Sequence, residues 1–270
     1  MKLITRTAAL LFVMSLIIIS CKKNVTETTQ QEEISQETLT KIYNHGFGTS
    51  DVQRTEDGYL VEGDIILTEE FLNGTPGGTF LRIANNEQYR TNNLVTGLPR
   101  TITVALDNKL AAKAGYSQAL QELANRYNAL NLQLTFSVVS SGADITFVNA
   151  NGSYLASAGF PTSSGSPYGQ VKVNSRAIGT GTSSTFVNYL ATILSHEAGH
   201  CIGFRHTDYM DRSFSCGGAT SNEGASTVGA VHIPGTPTTA DSGSWMLACI
   251  GSGVNRPFNN NDQTALSYLY

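Results

Sequence analysis

Residues 196–206 read His196-Glu197-Ala198-Gly199-His200-Cys201-Ile202-Gly203-Phe204-Arg205-His206. His196 and His200 stand four apart, so a helix carries both imidazoles on one face. Glu197 lies beside them, within reach of a water on a metal held by the pair. Gly203 permits a positive φ, so the helix can end there and the chain can fold back. That return brings in His206 as a third ligand. Three protein ligands leave a fourth position open, the arrangement of a catalytic rather than a structural zinc site. Two histidines flanking a glutamate recur by chance; the full eleven-residue pattern is far more specific. The chain has 5 histidines, and three of them fall on this one template.

A helix over roughly 184–203 carries the motif, and a strand over 169–174 precedes it. Before that lie a Gly/Ser-rich stretch (151–168) and two strands, about 132–138 and 144–148. A helix over roughly 113–129 puts Ala119, Leu120, Leu123, Ala124 and Tyr127 on one face. A strand from Thr101 to Leu106 opens this part of the chain. Further back, Ile34, Leu39, Ile42 and Tyr43 mark a helix ending near Gly46. Asp57-Gly58 is a turn between two extended runs, a β-hairpin signal. Residues 73–78 read as a loop. Residues 22–90 hold 12 acidic and 6 basic residues, whereas 91–270 hold 9 of each. This shift places a domain boundary near residue 90.

The N-terminus reads as an address. Lys2 and Arg6 precede an apolar run from Ala8 to Ile19 that is too short for a membrane span. Ser20-Cys21 after it resembles a bacterial lipobox, which implies a signal peptide over 1–20 and a lipidated Cys21. Residues 21–33 are a polar tether. The mature chain is then extracytoplasmic, where disulfides persist. The whole chain has 270 residues, 40% of them hydrophobic and 14% charged, with a net charge of −4. That is enough apolar content for a core, and it offers no basic footprint for nucleic acid. Three cysteines remain beyond Cys21. Cys201 sits in the motif helix and reads as a small apolar residue. Cys216 and Cys249 are the favoured disulfide; a pair involving Cys201, or free thiols, are the alternatives.

The motif resembles that of the metzincin metallopeptidases. Their Met-containing turn is matched by Ser244-Trp245-Met246, with Met246 under the metal and not ligating it. Phe258 to Tyr270 resembles the clan's closing helix, with Asn259 as N-cap and Asp262 in the first turn. Within the clan, the bacterial dual-action HEIGH metallopeptidases are most alike, through HEAGHCIGFRHTD, IPGTP at 233–237 and the terminal ALSYLY. Ala198 stands where the family name has Ile. Trp245 and Leu247 are bulkier than usual around the Met. The resemblance implies an α+β peptidase domain over 91–270: a mixed five-stranded sheet, an active-site helix and a C-terminal helix. A small helix-plus-hairpin segment over 34–90 precedes it. It also implies one catalytic Zn2+ and peptide bound by strand addition along Ser153 to Phe160. His232 and Tyr209 are weaker candidates for contacting substrate and oxyanion. Leu60-Val61-Glu62-Gly63-Asp64-Ile65 resembles a motif of astacin propeptides, in which an Asp occupies the zinc and holds the zymogen inactive; Asp64 is the corresponding residue, the alternative being that it ends a strand of a small N-terminal subdomain.

The expectation is a lipid-anchored, monomeric zinc endopeptidase acting on protein or peptide. His196, His200 and His206 hold the metal, Glu197 is the base, and residues 34–90 are pro-segment-like. The rival readings are a surface binding lipoprotein with a structural zinc site and a zinc amidase acting on cell-wall peptides.

Overall fold

The computed structural model describes residues 33–74, 88–219, 230–237 and 240–270. The expected signal peptide, Cys21, most of the tether and most of the 73–78 loop lie outside the described residues. Among the described residues, no helix is long and apolar enough to cross a membrane.

The N-terminal part begins with α1 (Gln36–Asn44), capped by the Ser35 hydroxyl, which accepts from the Thr38 N–H. Strands β1 (Gln53–Thr55) and β2 (Gly58–Val61) form the expected hairpin around Asp57-Gly58. The second extended run does not continue, however. Glu62 and Gly63 take φ of 53° and 90°, so the chain turns and returns as β3 (Ile65–Leu67). The result is a three-stranded meander in place of a two-stranded hairpin. Helix α2 (Glu69–Asn73), capped by Thr68, follows it. Ile42, Phe47, Tyr59, Val61, Ile65, Leu67 and Leu72 form a small core that also takes in Phe160 from far along the chain.

Strand β4 (Tyr89–Arg90) leads into β5 (Arg100–Leu106). In β5 the alternation buries Ile102 and Val104, as a sheet packed on one face requires. The short helix α3 (Asn108–Ala111) precedes α4 (Tyr116–Asn128), whose five predicted face residues are all buried. Then come β6 (Leu134–Val138), β7 (Ile145–Asn149), β8 (Ala156–Ser157), β9 (Gln170–Val173) and α5 (Ser175–Ile178). The five-stranded sheet has the order β6-β5-β7-β9-β8. Its pairs are parallel except for the antiparallel edge strand β8. The sheet is mixed, as expected.

Helix α6 (Ser184–Cys201), capped by Ser183, lies in the main core with α4. Helix α7 (Ser213–Cys216) and strand β10 (Val231–His232) follow; β10 pairs with β4. Helix α8 (Asn260–Leu269) closes the chain with a full capping box between Asn259 and Asp262. Cys216 and Cys249 form a disulfide, and Cys201 is buried and free. Residues Ile34–Tyr270 make one compact unit.

Candidate metal centre

Helix α6 presents His196 and His200 one turn apart. It stops where Gly203 takes φ +112°. A Cβ there would lie 2.8 Å from the Asn93 carbonyl oxygen and 2.7 Å from Leu94, so the turn has room for glycine only. The chain then doubles back and places His206 against the other two rings, with centroids 4.9 Å from His200 and 5.3 Å from His196.

Hydrogen bonds decide which nitrogen of each ring faces inward. His196 Nδ1 lies 2.9 Å from the Trp245 carbonyl oxygen, and His200 Nδ1 lies 2.8 Å from that of Phe204. A carbonyl can only accept, so each Nδ1 carries the proton and each Nε2 keeps a lone pair. Both Nε2 atoms are buried without a hydrogen bond among the described residues.

A fourth donor comes from the N-terminal meander. Asp64 Oδ1 is 3.2 Å from His206 Nε2, and Asp64 Oδ2 is 3.6 Å from His196 Nε2. One ligand atom from each of Asp64, His196, His200 and His206 lies within 4.8 Å of the others. Imidazole lone pairs and a carboxylate converging on one buried point repel one another unless a cation lies between them. Three nitrogens and one oxygen are also a donor set that zinc accepts. The residues therefore fit a metal ion.

The electrostatics follow from this crowding. Burial pushes the Asp64 carboxyl up, but His206, His196 and His200 together outweigh it and hold it below the carboxylate range. Burial, then the neighbouring His196 and His206, push His200 well down, keeping it neutral and able to ligate. Glu197 is buried, with Oε2 making no hydrogen bond among the described residues; burial first and the Asp64 carboxylate second raise its pKa well above the usual value.

Met246 is fully buried beneath the site. Its Sδ would stand 2.6 Å from a Cβ on Gly199, so glycine in α6 lets the Met turn approach. That turn is held by Asp262, which accepts from Trp245 N–H, Ser244 Oγ–H and Gln88 Nε2–H. The spacing of Ser244-Trp245-Met246 does not reveal this role of Asp262; only its place in the first turn of a helix is legible.

Beside His196 and Glu197 opens a cavity of about 270 Å³. Leu155, Ile193, Trp245, Leu247 and Ile250 give it apolar walls, and Thr192, Arg212 and Arg256 also line it. His232 and Tyr209 do not line it. His232 bonds Thr236, while Tyr209 stacks edge-on against Tyr89 at 4.5 Å. Of the predicted substrate strand Ser153 to Phe160 only Ala156–Ser157 forms a strand; Ser153 to Ala156 lines the cavity, while Ala158 is already bonded: its N–H donates to the Asp64 carbonyl and its carbonyl accepts from Ile66 N–H.

An α+β fold carries two histidines on one helix and a third on the turn after it, with a cavity beside them, a site fit for a metal ion. Residues 60–270 match the family described as dual-action HEIGH metallo-peptidase, and the chain belongs to that family. The architecture is accordingly metzincin-like. Among solved structures, that of myroilysin is 15% identical, with 66% of this chain and 96% of that one covered and a TM-score of 0.38. The GM1-bound form of the ECX AB5 holotoxin is 16% identical, with 45% of this chain and 62% of that one covered and a TM-score of 0.31. No curated protein matches the chain.

Proposed function

We propose that the chain is a zinc-dependent endopeptidase of metzincin type, exported, lipid-anchored through Cys21, and held latent by Asp64. The observation that carries this reading is the convergence of three imidazoles and the Asp64 carboxylate beside an apolar cavity. Zinc in that site supplies Lewis acidity and a water ionised near neutral pH. Glu197 takes the proton of the attacking water and returns it to the leaving amine. The substrate chain runs along Ser153–Ala156 and places one apolar side chain in the cavity. Asp64 fills the position the attacking water needs, and β3 covers the strand edge at Ala158.

The test is hydrolysis of an unfolded protein by the zinc-loaded chain, by Asp64→Ala and by Asp64→Ala/Glu197→Gln. Asp64→Ala is expected to cut faster than the native chain. Adding Glu197→Gln should remove about 10²–10⁴-fold of that activity, the usual contribution of a general base, while zinc stays bound. Equal activity with and without Asp64 sinks the latch. A second reading has its own support: with Asp64 as fourth donor the set is closed, as in structural sites. It gains ground if neither native chain nor Asp64→Ala cuts while each holds one zinc.

A further inference from the structure

Arg205 stands one residue before His206 and is fully buried. Its guanidinium finds its polar partners in the N-terminal part of the chain. Nη2 donates to both carboxylate oxygens of Glu62, at 2.8 and 3.0 Å, and Nη1 donates to the Gly46 carbonyl at 2.9 Å. The guanidinium carbon lies 4.2 Å from the centroid of the Phe47 ring. Glu62 also accepts from the Gly48 N–H. Its φ of 53° is a left-handed conformation that a residue with a Cβ keeps only where its surroundings hold it.

The turn that Arg205 belongs to serves two histidines at once. It carries His206, and its Phe204 carbonyl accepts the His200 Nδ1–H. The Arg205 N–H donates to the Tyr89 carbonyl, and the Thr207 N–H to that of Met246, so the backbone is pinned on either side of His206. Glu62 is the charged partner of the Arg205 side chain, which also bonds the Gly46 carbonyl and lies between the Phe47 and Tyr209 rings. A guanidinium deprived of its carboxylate in that place must move or draw in water, and the turn moves with it.

We propose that Glu62 is a positioning residue of the metal site. Through Arg205 it holds the turn that presents His206 and orients His200, so residues 34–74 are a working part of the peptidase and not a segment to be shed. This rests on the metal-site reading above. Activation then requires Asp64 to swing away while Glu62 stays, and substrate lies against residues 153–156, ahead of the edge that β3 covers.

The experiment compares Asp64→Ala with Asp64→Ala/Glu62→Gln, which separates positioning from the latch. Zinc affinity is read by chelator competition, and site geometry by the visible spectrum of the cobalt-loaded protein. Zinc affinity is expected to fall by about 10-fold or more, as for other residues that orient metal ligands. The cobalt bands should shift, and kcat should fall with KM unchanged. Adding Arg205→Met removes the stranded charge and should recover part of the loss. Unchanged affinity and spectrum in the Glu62→Gln chain overturn the proposal. Independently of that variant's folding, a specific protease site placed between Gly74 and Gln88 of the Asp64→Ala chain can be cut. The N-terminal piece is expected to stay bound, with zinc affinity unchanged. A piece that leaves, while the remainder keeps the affinity of the uncut chain, overturns the proposal as well. An Asp64→Ala chain that takes up neither zinc nor cobalt overturns the metal-site reading and this inference together.

Discussion

Specific contacts aim the candidate ligands of the centre. The carbonyls of Trp245 and Phe204 select the Nδ1–H tautomer of His196 and His200 and so turn both Nε2 lone pairs inward. Gly203 supplies the change of direction that brings His206 round. Its φ of +112°, and the Asn93 carbonyl oxygen 2.8 Å from where a Cβ would stand, leave no space for a side chain. Gly203→Ala is therefore expected to destabilise the fold by about 2 kcal/mol or more, because a left-handed alanine alone costs about 1–2 kcal/mol and the backbone oxygen cannot yield cheaply. Urea unfolding measures this. A loss below about half a kcal/mol, within the range of an ordinary surface substitution, would show that the turn relaxes. These roles of His196, His200, His206 and Gly203 are legible in the sequence, because helical period and a turn glycine translate spacing directly into geometry.

Among the secondary-structure elements, the C-terminal helix α8 is more than a closing strut. Asp262, at the third position of its first turn, completes a capping box with Asn259 and also holds the Met turn beneath α6. Burial lifts its pKa to about 7, against the hydrogen bonds from Asn259, Ser244 and Trp245 that favour the charged form. The folded state therefore keeps a proton on this carboxyl that the unfolded chain has already released. Stability due to this group is fully present below about pH 4, the unfolded value, and is lost as pH rises toward 7. Replacing Asp262 with Asn should lower the Tm overall and flatten that fall, as read by thermal unfolding across about pH 4–8, the span that brackets both values. An identical slope in the variant would contradict the assignment. The sequence marks Asp262 as a helix-start residue but not as a support of the Met turn, since nothing in its spacing points to Ser244. The meander reads as a hairpin for a related reason: Leu60-Val61 and Ile65-Ile66-Leu67 look like one extended run around Glu62-Gly63-Asp64, and the left-handed φ that turns the chain at Glu62 is held by its surroundings, not by its residue type.

In the molecule as a unit, the centre ties together parts that are far apart in the chain. Asp64 comes from the N-terminal meander, two histidines from α6, His206 from the turn after it, and a supporting carbonyl from Trp245. The disulfide Cys216–Cys249 links the segment after His206 to the cavity wall. A metal bound at such a junction stabilises the folded chain and not the unfolded one. At about a thousand-fold excess over its dissociation constant it contributes about 4 kcal/mol, or about 10 °C in Tm for a chain of this size. Chelation is accordingly expected to lower the Tm by that order, and added zinc to restore it. A Tm indifferent to both would mean that the donor set holds no ion.

Local chemistry is written in the order of residues: the three histidines as ligands, the end of α6, the apolar face of α4, the cap of α8, and the strand succession of an α+β domain. Each of these is set by neighbours within a few positions, through helical or strand period, capping and turn preferences. Asp64 is expected beside the metal from the likeness of residues 60–65 to a propeptide motif, and the fold brings it there. Folding in three dimensions was needed to close Glu62 on Arg205, to lay β3 on the edge at Ala158, and to bring Asp262 under the Met turn. Those contacts join residues far apart in the chain, and they form only once packing has set the register between elements. No spacing rule records them. A buried charge such as Arg205 shows this plainly: its burial requires a partner, and the fold alone says that the partner is Glu62.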